Sequence, residues 1–423
     1  MSALPWHLLP DSAEVSPSGG LLVGGCDLVD LAAEFGTPLF VYDEAHLRAR
    51  CREAVAAFGD GVAYASKAFL CVAMARLAHE EGMYIDVASG GELHLALAAG
   101  VPADRLVLHG NNKSDDELVR ARQVGVHRIV VDSFDELDRL ERLHAADGLV
   151  PPVLLRITPG IEAHTHAYVS TGQDDSKFGL GLVSGDAAKA VARAEASPAV
   201  ALQGVHVHIG SQVFAQGSFR AAIEAMAGFV RPLDLPEFVI GGGLGVPYVE
   251  GETAPSLTEW GKEIREAWAA VGLGARISAE PGRSIVASAA VTLYRVGSVK
   301  RLSGIRTYVA CDGGFIDNPR PALYGSGYET FLPRAVAADR TQRVRLVGKH
   351  CESGDVLVHD AAVPDDLVVG DLLATPVTGA YGHSMGSNYN KLPRPAVAFV
   401  RDGDARLVVR RETYDDLLRT EVF

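Results

Sequence analysis

Between about Val62 and Gly282 the pattern of apolar and polar positions repeats one unit. A short run rich in β-branched and aromatic residues ends in small or polar ones, and a stretch with apolar residues at helical spacing follows. Eight such runs are present: VAYASK from Val62, YIDVAS from Tyr84, LVLHG from Leu106, RIVVDS from Arg128, VLLRITP from Val153, GVHVHIGS from Gly204, FVIGGG from Phe238 and RISAEPG from Arg276. Ser114 before DDELVRARQ and Ser133 before FDELDRL stand where helix N-caps are needed. Eight βα units in series predict an α/β fold, a (β/α)8 TIM-like barrel. An open doubly wound sheet is the structural alternative, and it would have fewer strands.

After about Ile285 the pattern changes to AAVTLYRVGSVKR, RTYVACDGG, RVRLVGK, DVLVH and PAVAFVRDGDARLVVRRE, broken by Gly, Asp and Pro turns. This predicts a second, mostly antiparallel β-domain. The N-terminal segment, with its short helical stretch DLVDLAAEFG, is expected to join that β-domain. The expected division is 1–36 as the N-terminal segment, 37–284 as the barrel and 285–423 as the C-terminal β-domain.

The 423 residues suit a large barrel with a smaller partner, and 48% hydrophobic with 22% charged residues argues against disorder. A net charge of −14 repels phosphate backbones, so no nucleic acid partner is expected. Cys26, Cys51, Cys71, Cys311 and Cys351 are odd in number and lack metal-ligand spacing, which predicts reduced thiols in a cytoplasmic protein and no metal. No signal peptide and no membrane-spanning run is recognised.

A barrel places its chemistry at the C-terminal ends of its strands. There the sequence offers Lys67, then Asp86 and Ser89, then His109-Gly110-Asn111-Asn112, His208-Ile209-Gly210-Ser211, Gly241-Gly242-Gly243 and Glu280-Pro281-Gly282-Arg283. Lys67 in the apolar YASKAFL could be buried and nucleophilic, or a lysine reaching out to solvent. The GGGLG run could let backbone N–H groups approach a phosphate, or be a tight turn; a dinucleotide fingerprint is not cleanly met. Glu280 could hold a pyridine nitrogen protonated, or pair with Arg283 at the surface. His208 could lie on a planar ring, or be a core histidine. Taken together, a lysine for an aldehyde, a carboxylate for a ring nitrogen, a flat side chain for a ring face and glycines for a phosphate describe one cofactor, pyridoxal 5'-phosphate (PLP).

In order along the chain stand YASKAF, DVASGGEL from Asp86, EAHTH from Glu162, SKFGL from Ser176, HIGSQ from His208, GGGLG from Gly241, EPGRS from Glu280, DNPRPALYG from Asp317, HCESGD from His350 and GAYGHSMGSNYN from Gly379. This order resembles the alanine racemase-like, fold type III PLP-dependent decarboxylases, and among them the diaminopimelate decarboxylase family. The resemblance implies that Lys67 carries the cofactor, His208 stacks on its ring and Glu280 binds its nitrogen. Asp86 is implied as a further cofactor contact. Ser211, Gly241, Gly242, Gly243 and the backbone of Gly282 and Arg283 would cradle its phosphate. Arg283, Arg320 and Tyr324, with Glu352 assisting, would bind the distal end of the substrate. Cys351 would reprotonate Cα, and Tyr381 would contact cofactor and substrate. Cys351, Glu352 and Tyr381 would come from the second subunit of a homodimer. The residues after Tyr381 depart from the family pattern, although Tyr389 and Asn390 are kept.

The implied reaction is loss of CO2 from the D centre of meso-diaminopimelate to give L-lysine, a carboxy-lyase activity in lysine biosynthesis. Decarboxylases of ornithine, lysine, arginine or carrier-tethered amino acids share the chemistry, but they need no grip on a distal carboxylate. A non-catalytic regulatory homologue is the alternative of another class; it would be expected to lose Lys67 or the glycine turns.

Overall fold

The computed structural model describes residues 4–161, 175–215 and 217–422. Two compact units emerge from the chain: Arg50–Gly245 with Ala254–Ser284, and Met1–Ala49 with Val246–Thr253 and Ile285–Phe423.

The first unit holds the parallel sheet. Strands Ala63–Ala65, Tyr84–Val87, Leu106–Leu108, Arg128–Val131, Pro152–Thr158, Ala201–Val207, Glu237–Val239 and Arg276–Ser278 pair side by side in sequence order, and the short Leu180–Gly181 adds to the fifth. The amides of Ala63 and Ala65 donate to the carbonyls of Ala279 and Pro281 at 3.0 and 3.1 Å, so the two ends of the sheet meet. This is the TIM-like barrel expected from eight βα units. Its inward side chains include Val107, Val130, Leu154 and Val239, which form one buried cluster. The outer helices begin where the caps predicted: Ser114 and Glu117 form a reciprocal capping box, and Ser133 Oγ accepts from the Glu136 amide.

The second unit is built on an eight-stranded, mostly antiparallel sheet. Its long strand Ala290–Leu302 pairs antiparallel with Leu39–Asp43, Leu372–Pro376 and Arg306–Cys311. Two pairings are parallel, Arg306–Cys311 with Gln342–Val347 and Leu39–Asp43 with Ala396–Arg401. The N-terminal residues contribute a small sheet, Glu14–Val15, Leu21–Val23 and Cys26–Asp27, and the helix Leu28–Phe35, whose Leu28, Leu31 and Ala32 are buried in this unit's core.

The contact division differs from the sequence boundaries at two places. Leu39–Asp43, expected at the start of the barrel segment, is a fully buried strand of the antiparallel sheet, and Val246–Thr253 also belongs to that unit. A short apolar run such as LFVYD announces a buried strand but carries no sign of which sheet it joins. No helix among the described residues is long and apolar enough to cross a membrane.

Candidate active site

Seven of the eight barrel strands bring chemistry to the barrel interior and its C-terminal mouth. Glu280 follows the eighth strand and is buried. Its Oε2 lies 2.9 Å from His206 Nε2, a buried hydrogen bond, and its Oε1 lies 3.2 Å from His109 Nε2. His109 Nε2 is also 3.5 Å from Asp86 Oδ1. The two His109 contacts are ion-pair distances, whereas the His206 contact has the alignment of a hydrogen bond.

The electrostatics of this cluster are uneven. Burial works against the Glu280 carboxylate, but His206 and His109 outweigh it and hold the group well below the usual carboxylate range. Burial, reinforced by Glu280, pushes Asp86 up to about 7. His109 sits between both carboxylates and is raised to about 9 in spite of its burial. Burial lowers His206, although Glu280 opposes this. His109 is thus an imidazolium near neutral pH, and His206 a neutral ring whose Nε2–H donates to Glu280.

His109, His206 and Glu280 have ligand atoms within 4.8 Å of one another, spacing that a metal ion could use. The linear sequence did not show this, because the three residues come from the third, sixth and eighth strands.

The remaining barrel candidates gather around the same mouth. His208 Nδ1 accepts from the Gly242 amide at 3.3 Å, which fixes its ring and leaves the proton on Nε2. Burial keeps its basicity well below the ordinary value, and the charges of Lys67 and Arg156 lower it further. Gly241 has φ +69°, and a Cβ there would fall 2.6 Å from Val207 O. A Cβ on Gly242 would strike Glu280 O, and one on Gly243 would strike Gly210 O. Gly282 packs against Ala65, whose carbonyl a Cβ would approach to 2.8 Å. Arg283, which opens a short helix, donates from Nη2 to Ser211 Oγ at 2.9 Å. Arg283 and Ser211 therefore belong to one place.

Of the two readings the sequence offered for Lys67, the structure shows the exposed one. It lies in the turn Ser66–Ala68 after the first strand, and its side chain is exposed between two buried neighbours. The apolar letters of YASKAFL mark the neighbours' burial. Its charge still acts on Asp86 and His208, so all three occupy one site.

Sequence reasoning missed two residues here, His206 and Arg156, and gave a third, His109, no role. His206 was hidden inside an apolar strand, and His109 was noted only as part of a strand end. Arg156, only slightly exposed, lies over the Phe178 ring at 4.3 Å and bears electrostatically on Glu280. Two-residue alternation with His208 was the available signal for His206. The EAHTH segment lies outside the described residues.

The other unit holds the remaining candidates. Arg320 opens the short helix Arg320–Tyr324; its Nε donates to Tyr328 Oη at 3.0 Å and its Nη2 to Ser326 Oγ at 2.9 Å. Its guanidinium lies 4.6 Å from the Tyr248 ring centroid and 5.7 Å from that of Tyr324. Tyr381, at φ +58°, acts on Arg320 electrostatically. Cys351 is exposed and unoxidised, which sets aside a buried hydrophobic role. The loop that carries it is tied to the kept Tyr-Asn pair: Asn390 Oδ1 accepts from the Cys351 amide at 3.3 Å, and Tyr389 Oη donates to Glu352 Oε1 at 2.7 Å.

The barrel residues fit a pyridoxal phosphate. A buried, ionised carboxylate stands at the eighth strand end, glycines allow close backbone approach, and Asp86 Oδ1 and His206 Nδ1 are buried without a hydrogen-bond partner among the described residues. A parallel barrel with this donor set defines a cofactor enzyme of the pyridoxal class. Residues 44–287 match the family described as pyridoxal-dependent decarboxylase, pyridoxal binding domain, and the chain belongs to that family. Its cofactor is PLP.

The full-length comparisons are narrower. The chain is 46% identical to diaminopimelate decarboxylase of Mycobacterium tuberculosis (strain ATCC 25618 / H37Rv), covering 96% of this chain and 95% of that one. It is 47% identical to diaminopimelate decarboxylase of Bacillus subtilis (strain 168), with 96% and 95% covered. Among solved structures, diaminopimelate decarboxylase from M. jannaschii in complex with L-lysine matches with a TM-score of 0.91 at 32% identity, covering 98% of both chains.

Proposed function

We propose that this chain is a carboxy-lyase that removes CO2 from the D centre of meso-diaminopimelate and yields L-lysine. The observation that carries the proposal is the buried Glu280 carboxylate, with a histidine beside each oxygen that favours its ionised form, in a barrel mouth that also contains Lys67 and the glycine cradle. When bound, PLP supplies the electron sink for the pair left behind by CO2.

The chain's own residues do the rest. Lys67 would hold the cofactor through its aldehyde group, and Glu280, with Asp86 nearby, would bind the ring nitrogen. His208, whose Nδ1 accepts from the Gly242 amide, would cover the ring face. Ser211, the Gly241–Gly243 turn and the Gly282–Arg283 backbone would receive the phosphate. Arg320, set among Tyr248, Tyr324 and Tyr328, offers a guanidinium fork to the distal carboxylate, with Arg283 and Glu352 contributing to that end. Cys351 Sγ delivers a proton to Cα, and Tyr381 contacts cofactor and substrate. We further propose a cytoplasmic homodimer in which Cys351, Glu352 and Tyr381 act at the partner's barrel.

A decarboxylase of L-lysine or L-ornithine is the rival within the fold. Lysine/ornithine decarboxylase from Vibrio vulnificus complexed with putrescine matches at a TM-score of 0.76 but only 23% identity, a likeness of fold alone. The decisive experiment offers PLP-loaded protein meso-diaminopimelate, L-lysine, L-ornithine and L-arginine, and follows CO2 and amine product. Turnover of meso-diaminopimelate alone, lost in Lys67→Ala together with the cofactor's absorption band, is expected. Turnover of a monocarboxylate diamine instead would transfer the function to the rival.

A further inference from the structure

Glu280 is not left to meet the cofactor's ring nitrogen unaided. His206 Nε2 approaches one of its oxygens at 2.9 Å and His109 Nε2 the other at 3.2 Å, while His109 also reaches Asp86 at 3.5 Å. Both histidines are anchored on strand elements of the barrel. The His109 amide donates to Val87 O at 2.8 Å, which ties it to the strand that carries Asp86.

We infer that His206 and His109 are positioning residues for Glu280, His206 through a hydrogen bond to one oxygen and His109 as a charge beside the other, and that they so keep the cofactor's ring nitrogen protonated. The inference rests on the proposed role of Glu280.

The physical logic concerns where one proton sits. A pyridinium is a stronger electron sink than a pyridine, so the nitrogen should carry the proton and Glu280 should stay a carboxylate. A lone carboxylate buried in a barrel tends to take the proton itself. A neutral His206 donor and a charged His109 both favour the carboxylate form. The His206 hydrogen bond also limits rotation of the carboxylate, and the His109 charge lies 3.2 Å from its other oxygen. Asp86 completes the arrangement by giving the His109 charge a second partner, so that Glu280 is not saturated by a full ion pair. The charged and titratable groups that interact with Glu280 include His206, His109, Asp86, Arg156 and His208. His206 and His109 are the ones that touch its oxygens. The reciprocal signature is the unpartnered His206 Nδ1, a buried polar atom accepted for the sake of the Nε2 contact.

The test uses holoenzyme loaded with PLP enriched in 15N at the ring nitrogen, whose chemical shift reports its protonation. The variants are Glu280→Gln, His206→Leu, His206→Gln and His109→Gln. Folding is followed by thermal melting, and cofactor loading by absorbance. The wild-type nitrogen is expected to be protonated and Glu280→Gln to shift it towards the neutral form. His206→Leu should shift it in the same direction, with kcat falling and KM changed less. The fall should be about 10- to 100-fold, the range seen when supporting partners of a ligating group are removed. His206→Gln, which restores a donor, should recover part of both. If His206→Leu does not fold, His109→Gln against wild type carries the same comparison. A nitrogen shifted by Glu280→Gln but untouched by folded His206 and His109 variants overturns this inference and leaves the role of Glu280 standing. A nitrogen unmoved by Glu280→Gln overturns both.

Discussion

Arg320 Nε donates to Tyr328 Oη at 3.0 Å, and the same guanidinium lies 4.6 Å from the Tyr248 ring. Tyrosine hydroxyls and rings hold the cation without neutralising it, and the chain supplies no carboxylate within ion-pair distance of Arg320 among the described contacts. A planar cation kept unpaired by acid in this way suits an incoming carboxylate. Arg320→Lys keeps the charge but loses the fork. Steady-state kinetics should show KM for meso-diaminopimelate rising about 10- to 100-fold, the loss of a charge-assisted hydrogen bond worth roughly 1.5–3 kcal/mol. An unchanged KM would remove Arg320 from the substrate's distal end.

The Cys351 loop depends on Asn390, whose Oδ1 accepts from the Cys351 amide. Asn390 also adopts φ +53°, a conformation that Asn and Gly tolerate better than other residues. Asn390→Gly therefore removes the acceptor without backbone strain. Activity should fall about tenfold, the weight of roughly one hydrogen bond at about 1.5 kcal/mol, while thermal stability changes little. Full activity in Asn390→Gly would show that the loop's function does not depend on the Asn390 acceptor.

A third relationship concerns stability. Lys113 Nζ lies 2.8 Å from Glu136 Oε1 and also donates to Gly110 O and Val130 O, with both side chains almost wholly buried. Burial raises Glu136 above the usual carboxylate range even though Lys113 pulls it down. Lys113→Met leaves a buried carboxylate unpaired and should cost about 3–5 kcal/mol in denaturant unfolding. Adding Glu136→Leu should recover most of that loss. A double variant as unstable as the single one would show that the backbone contacts of Lys113, not the ion pair, carry its contribution.

Much of this architecture was legible in the chain, for identifiable reasons. A parallel strand buried on both faces reads as a short apolar run, and a capped amphipathic helix follows it, so each βα unit announces itself locally. Residues at strand ends such as Glu280 and His208 stand out because a polar side chain interrupts an apolar run. His206 and Arg156 lie within strands, and their meaning depends on closure of the barrel, which no local pattern encodes. Lys67 could be read either way from its apolar neighbours, which are buried while Lys67 itself is exposed. The strand Leu39–Asp43 was visible as a strand but not as a member of the antiparallel sheet, because the pairing with Ala290 and Ala396 spans most of the chain.

His127 gives the last prediction. Its ring lies 4.6 Å from that of Tyr84, and burial, with Arg128 adding to it, lowers its pKa to about 4. His383, half a ring contact away from Phe40 at 5.8 Å, is lowered to about 4 by burial and Arg394. For each, the unfolded imidazole binds a proton near 6.5 that the folded one refuses until about 4. The unfolded chain therefore holds more protons in that window, and stability must fall as pH drops through it. The ceiling is a slope of about 1.4 kcal/mol per pH unit for each histidine, and the partial exposure of His127 brings its share below that. His109 works in the opposite sense. Its raised pKa contributes stability below the unfolded value of 6.5 that is lost as pH climbs through about 9, so it cannot mask the acid limb. Urea unfolding of wild type and His127→Gln at pH 7 and pH 5 should show a smaller acid loss in the variant. Equal losses in the two proteins would mean that His127 takes up its proton in the folded state, and that the acid sensitivity lies with His383, His206 and His208.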